Sequence, residues 1–205
     1  MCPLTSRNHD LHGSAPDTSH TVFLLIDVIN DMEFEGGKAL FKHALPAAKR
    51  IRELKKQAKK AGIPTIYVND NYGRWQSDFH QIVDQCIQEE SIGKPIAELL
   101  KPEDDDYFVI KPKHSGFFST TLDTLLAYLQ AERLILAGFQ TDICVLFTAN
   151  AAYMRDYHLY VPSDCSASEK VENHNYALKQ IERLLQADIT PSTELDIDQL
   201  IRVKV

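Results

Sequence analysis

From Thr21 onward the chain changes hydrophobic period about six times without a break, and this alternation restricts it to very few folds. Residues 22–28 (VFLLIDV) are nearly continuously apolar, as a strand covered on both faces must be. Residues 44–61 place Leu45, Ala48, Ile51, Leu54, Lys55 and Ala58 at three- and four-residue steps, which predicts a helix stopped by Gly62. Further strands are expected over 63–68, 107–110, 134–137, 159–161 and 187–189, and further helices over 77–88, 142–156 and 172–186. Thr120, with Asp123 three residues on, is expected to cap one more helix carrying Leu122, Leu125, Leu126 and Leu129. A Pro-punctuated connection joins the second helical stretch to the third strand, and the tail has room for one more helical turn. The pattern predicts one three-layer, doubly wound α/β domain over 21–205, built on a mostly parallel six-stranded sheet. Residues 1–20, rich in Ser, Thr, His, Pro and Gly, read as a mobile lead.

Composition narrows the function classes. The net charge of −7 argues against a nucleic-acid partner. No apolar run approaches the ~20 residues needed to cross a bilayer, and the first residues lack a signal-peptide core, so a cytoplasmic protein with no membrane partner is expected. The four cysteines, Cys2, Cys86, Cys144 and Cys165, have no CxxC spacing and do not resemble a disulfide framework or a zinc knuckle.

In doubly wound sheets ligands sit beyond the carboxyl ends of the strands, so those ends are where chemistry is expected. Asp27 closes the first strand, where a carboxylate is costly to bury unless something bonds or uses it. Lys111 closes the third, where an ammonium needs an acidic partner. The fourth strand runs into GFQTDIC, with Thr141 placed as an N-cap and Cys144 in the first helical turn. A thiol there lies near the positive end of the helix dipole, which is expected to favour the thiolate. Each residue has an ordinary explanation when taken singly: a loop cap, a snorkelling lysine, a small buried hydrophobe. Together they are a base, a cation and a nucleophile, the parts of covalent acyl transfer.

Three segments, LLIDVINDM, VIKPKHSGFFSTTLDTLL and LILAGFQTDICVLFTANAAYMRDYHLYVPSDCSAS, resemble the isochorismatase-like cysteine hydrolase superfamily, whose members include nicotinamidases, N-carbamoylsarcosine amidases and ureidoacrylate-type amidohydrolases. The resemblance implies a Rossmann-like fold and makes Asp27, Lys111 and Cys144 the catalytic triad. It also implies a cis peptide between Phe139 and Gln140, and an oxyanion hole made by the backbone amides of Gln140 and Cys144. Relatives are commonly dimers or larger, so a homo-oligomer is expected.

The chain departs from the nicotinamidase pattern where that pattern supplies a metal site. Asp70 is followed two residues later by Tyr72 instead of a histidine, and His80 is the only imidazole nearby. One Asp with one His is a poor ligand set, so no metal and no other cofactor is expected. Cys144 favours C–N hydrolysis of a small amide, ureide or carbamoyl compound. The vinyl ether hydrolysis of the isochorismatase branch, with Asp27 as the acid, is the first alternative, and a non-catalytic metabolite-binding α/β module is the second. Tyr72, Arg74 and Trp75, on the loop after the second strand, are candidate substrate contacts, as is Phe118. Phe117 and Phe34 are further pocket candidates, and the Lys/Arg-rich stretch 49–60 is expected to be the solvated face of the first helix.

Overall fold

Six strands form one sheet in the spatial order Tyr107–Lys111, Thr65–Asp70, Thr21–Ile26, Arg133–Phe139 and His158–Tyr160, with Ser166–Ala167 paired to Arg133–Phe139 beyond the end of His158–Tyr160. The computed structural model describes residues 18–72, 78–88 and 90–202. In chain order the elements are β1 (Thr21–Ile26), α1 (Gly37–Lys60), β2 (Thr65–Asp70), α2 (Phe79–Gln88), α3 (Lys94–Leu99), β3 (Tyr107–Lys111), α4 (Leu122–Leu129) and β4 (Arg133–Phe139). A π-helical turn (Thr141–Val145) then leads into α5 (Leu146–Tyr153), β5 (His158–Tyr160), β6 (Ser166–Ala167), α6 (Val171–Leu185) and α7 (Ile197–Arg202). All strand pairs are parallel.

The alternation of β1 explains the layering. Phe23 and Leu25 face a core shared with α1, α2, α3 and α7, while Val22, Leu24 and Ile26 face a second core shared with α4, α5 and α6. The chain winds outward from β1 through β2 to β3, then returns to the other side of β1 with β4. The order therefore reverses between β1 and β4, and the carboxyl ends of those strands flank the reversal. Gly138 is needed there. It has φ +132°, and a Cβ would lie 1.9 Å from the carbonyl oxygen of Ile26.

Several expectations shift. The first helix starts earlier, at Gly37, and keeps Pro46 in its interior. The connection before the third strand contains α3, whose Pro95 sits in the first turn, a position where no amide is needed. The sixth strand is not 187–189, which makes only a single bridge between Tyr160 and Asp188; it is β6. The helix expected over 142–156 is divided into the π turn and α5, which stops at Tyr153. Of the expected lead, 1–17 lie outside the described residues; the Ser19 N–H donates to Leu129 O, and His20 O accepts from the amides of Glu132 and Arg133.

Candidate active site

Asp27 directly follows β1 and has φ +51°, a left-handed conformation that Asp tolerates better than most L residues. Its N–H donates to Val68 O, and its Oδ1 accepts the Asp70 N–H at 2.7 Å. The loop beyond is held by Asn69, a buried side chain whose amide donates to Ile29 O at 2.7 Å and accepts from the Ile29 N–H at 3.2 Å. This reciprocal pair ties the end of β2 to the turn carrying Asp27.

Lys111 is the last residue of β3 and is fully buried. Its Nζ lies 2.8 Å from Asp27 Oδ2, 3.5 Å from Asp70 Oδ2 and 3.6 Å from Cys144 Sγ. Cys144 comes from the π turn after β4, and single π turns recur at functional sites. Thr148 Oγ1 donates to Cys144 O at 2.7 Å and accepts the Gly116 N–H at 3.0 Å, joining the nucleophile's helix to the loop after β3. Three strand ends thus bring Asp27, Lys111 and Cys144 together, with Asp70 as a fourth charged member.

Burial pushes the Asp27 carboxyl above its ordinary value, against the pull of Lys111. Burial pulls Lys111 down, but the charges of Asp27, Cys144 and Asp70 outweigh it, so the ammonium is held above its usual value. Burial and then the Asp27 charge push the Cys144 thiol far above the usual thiol range, only partly offset by Lys111. The expectation of a dipole-stabilised thiolate is therefore corrected: the resting form is the thiol, because Sγ is desolvated beside a carboxylate. Thr141 is corrected as well. Gln140 occupies the N-cap position without a side-chain cap bond, and the Thr141 hydroxyl pairs with His174 Nδ1 at 2.8 Å.

The cluster opens into a cavity of about 370 Å³, walled by Asn30, Phe34, Tyr72, His114, Phe139 and Ile143 among others. Tyr72 is pinned by its hydroxyl, which donates to Ile29 O at 2.9 Å. Phe118 is 55% exposed and is not among the cavity's lining side chains. Phe117 is buried in the core and stacks on Tyr157. Arg74 and Trp75 lie outside the described residues. The Phe139–Gln140 peptide is cis. Cys86 and Cys165 are buried in the core beneath α1, and Cys2 lies outside the described residues.

Sequence reasoning passed over His114, whose Nδ1 is 3.8 Å from Cys144 Sγ and whose ring packs on Phe147 at 5.5 Å. Its signal was its place three residues after Lys111, on the loop that follows β3. Asp70 was weighed only as a metal ligand. Its carboxylate instead takes Lys111 and the Tyr72 N–H, while the His80 ring sits edge-on against Phe108. Among the described residues, no group of three or more His, Cys, Asp or Glu side chains is placed to hold a metal ion.

A doubly wound parallel sheet with an acid, a buried lysine and a thiol gathered at its switch point defines a three-layer α/β fold with its candidate site at the carboxyl ends of the strands. The chain belongs to the isochorismatase family: the isochorismatase domain model matches residues 21–194. It is 44% identical over 172 residues, covering 84% of this chain and 94% of the relative, to an isochorismatase family protein of Bacillus subtilis, YaaI. It is 26% identical to the ureidoacrylate amidohydrolase RutB of Methylobacterium radiotolerans, over 82% of this chain and 75% of that one. The fold matches the crystal structure of N-carbamoylsarcosine amidase from Thermoplasma acidophilum with a TM-score of 0.66 at 22% identity, covering 87% and 99% of the two chains. Members of the family are hydrolases, among them amidases acting on non-peptide C–N bonds. No described helix is long and apolar enough to cross a membrane.

Proposed function

We propose that this chain is a cysteine hydrolase that cleaves the C–N bond of a small amide, ureide or carbamoyl compound through a thioester on Cys144. The observation that carries the reading is the buried Lys111 ammonium bridging Asp27 at 2.8 Å and the Cys144 thiol at 3.6 Å, two residues that line an open cavity.

Asp27, as carboxylate, takes the thiol proton while Sγ attacks the carbonyl carbon, so a free thiolate never has to accumulate. Lys111 holds the carboxylate ionised and balances the charge passing to sulfur. The backbone amides of Gln140 and Cys144 receive the developing oxyanion. Protonated Asp27 returns its proton to the leaving nitrogen, the C–N bond breaks and the thioester remains. Water then adds to the thioester with Asp27 again as base, releasing the acid and the thiol. No step calls on a metal or a cofactor.

The cavity volume suits a small substrate. Lys111 is already engaged by two carboxylates, which favours a neutral acyl portion over a second acid. The test is an ammonia-release screen over small amides and ureides with the parent protein and Cys144→Ala side by side. Turnover in the parent and none in the variant is expected; equal turnover in both rejects the scheme.

The raised pKa of Asp27 also favours a second reading, in which the protonated carboxyl is the acid for vinyl ether hydrolysis. That activity would survive Cys144→Ala and vanish in Asp27→Asn. The same proposal includes a homo-oligomer in the cytoplasm; a sole monomer peak in gel filtration counts against the assembly.

A further inference from the structure

The turn that carries Cys144, Thr141–Val145, is wound in a π register. Gln140 O accepts the Val145 N–H at 3.1 Å, five residues on, and the Ile143 N–H at 3.2 Å. In an α-helix the same carbonyl would take the Cys144 N–H, four residues on. The π register bypasses the very amide that the proposed mechanism assigns to the oxyanion. Such turns are rare, so what holds this one in register bears on the chemistry.

Ser168 is 1% exposed and stands directly after β6, whose pairing sets Ala167 opposite Phe139 and so brings Ser168 to the start of the turn. Its hydroxyl accepts the Asp142 N–H at 3.3 Å and donates to the Asp142 carboxylate at 2.5 Å. The first of these bonds closes one of the amides that a helical start leaves without an internal partner. The second fixes the side chain of the same residue. Two further ties act on the turn, from His174 to the Thr141 hydroxyl at 2.8 Å and from the Thr148 hydroxyl to Cys144 O at 2.7 Å. Of the three, the Ser168 pair grips both backbone and side chain of one turn residue.

We propose that Ser168 is a positioning residue: its paired bonds to Asp142 hold the turn in the π register and so keep the Cys144 amide available to the oxyanion. Without them the turn slips to the α register, Gln140 O takes the Cys144 N–H, and the oxyanion loses a donor. The catalytic consequence rests on the hydrolase reading above, whereas the register does not. A second buried Ser–Asp pair supplies the control. Ser192, 6% exposed, donates its N–H and its hydroxyl to the Asp164 carboxylate at 2.7 and 2.8 Å, and neither residue belongs to the turn.

The test reads Ser168→Ala by steady-state ammonia release and by amide hydrogen exchange resolved residue by residue in NMR. kcat should fall about 30-fold with KM within about twofold of the parent value, because the lost donor acts on the transition state. Exchange at the Cys144 N–H should slow about tenfold as that amide gains Gln140 O, whereas mere loosening of the fold would speed it. Asp142→Ala should move both readouts the same way. Asp142→Asn, which keeps an oxygen for the Ser168 hydroxyl, should recover most of the activity lost in Asp142→Ala. Ser192→Ala should change neither readout. Unchanged kcat in Ser168→Ala, or exchange at Cys144 that is unchanged or faster, overturns the assignment. An inactive parent protein counts against the hydrolase reading, and the exchange at Cys144 then decides the register by itself.

Discussion

Two lysines, Lys55 and Lys111, are buried against carboxylates at opposite ends of β3, and they do different things. Lys55, from α1, puts its Nζ 2.5 Å from Asp106 Oδ2 and 3.1 Å from the Tyr67 hydroxyl, just before the strand begins. Every group around it is closed: the Tyr67 hydroxyl donates to Leu100 O at 2.7 Å, and Asp106 also accepts the Glu103 N–H at 2.7 Å. Lys111, at the other end, faces Asp27, Asp70 and a thiol that borders a cavity. A buried cation is thus not in itself a sign of chemistry. What distinguishes Lys111 is a neighbour with a lone pair left to give and space for a substrate in front of it.

The largest expected effect breaks the reactive side of this contrast. Cys144→Ala and Asp27→Asn should each lower C–N hydrolysis by roughly 10³-fold or more, because each removes a covalent or proton-transfer partner that nothing else replaces. Steady-state ammonia release measures it. The pair Lys111→Met and Lys55→Met sharpens the contrast directly. Lys111→Met should lower kcat/KM about 100-fold, since the cation holds both acid and sulfur in their working states. Lys55→Met should leave turnover per folded molecule unchanged and cost about 3–5 kcal/mol in urea unfolding, the usual penalty for stranding a buried partner. Loss of turnover in a fully folded Lys55→Met protein would end the distinction. A smaller effect is expected at His114, 3.8 Å from the thiol: His114→Gln should lower kcat/KM about tenfold with no change in stability.

The sequence made the two lysines unequal for a simple reason. Lys111 stands at the end of an apolar run, where position alone demands a partner, and the alternation of strands and helices says which edge that partner shares. Asp27 and Cys144 are legible by the same argument. Lys55 shares the three- and four-residue steps of the first helix but falls inside a Lys/Arg-rich stretch that reads as solvated, and its burial depends on Asp106 and Tyr67 meeting it from distant segments. Asn69 and Asp70, at the end of β2, and His114, on the loop after β3, were hidden likewise, because a side chain at a strand end or in a loop acquires a role only from the register of neighbouring strands, here Asp70 opposite Lys111. The protonation of Cys144 was misjudged for a related reason. A helix terminus can be seen in a sequence, whereas the desolvation and the carboxylate that outweigh it are properties of the packed site.

The smallest effect concerns the Asp27–Lys111 pair and its pH dependence. The folded-state pKa of Asp27 lies above its unfolded value of 3.8, so its contribution to stability is complete below that value and is lost as the pH rises through the folded pKa. Asp27→Asn removes that loss. The fall in unfolding free energy between about pH 4 and about pH 8 should therefore be smaller in the variant than in the parent, as read by urea titration at both ends. The same carboxyl must be ionised to act as the base, so the acid limb of kcat/KM should lie above the ordinary carboxylate range and disappear with the residue. Activity then depends on the ionised form of Asp27, the form that burial disfavours in the folded protein. An acid limb at the ordinary value, together with an unchanged stability slope in Asp27→Asn, would mean that Asp27 is as settled a partner for Lys111 as Asp106 is for Lys55.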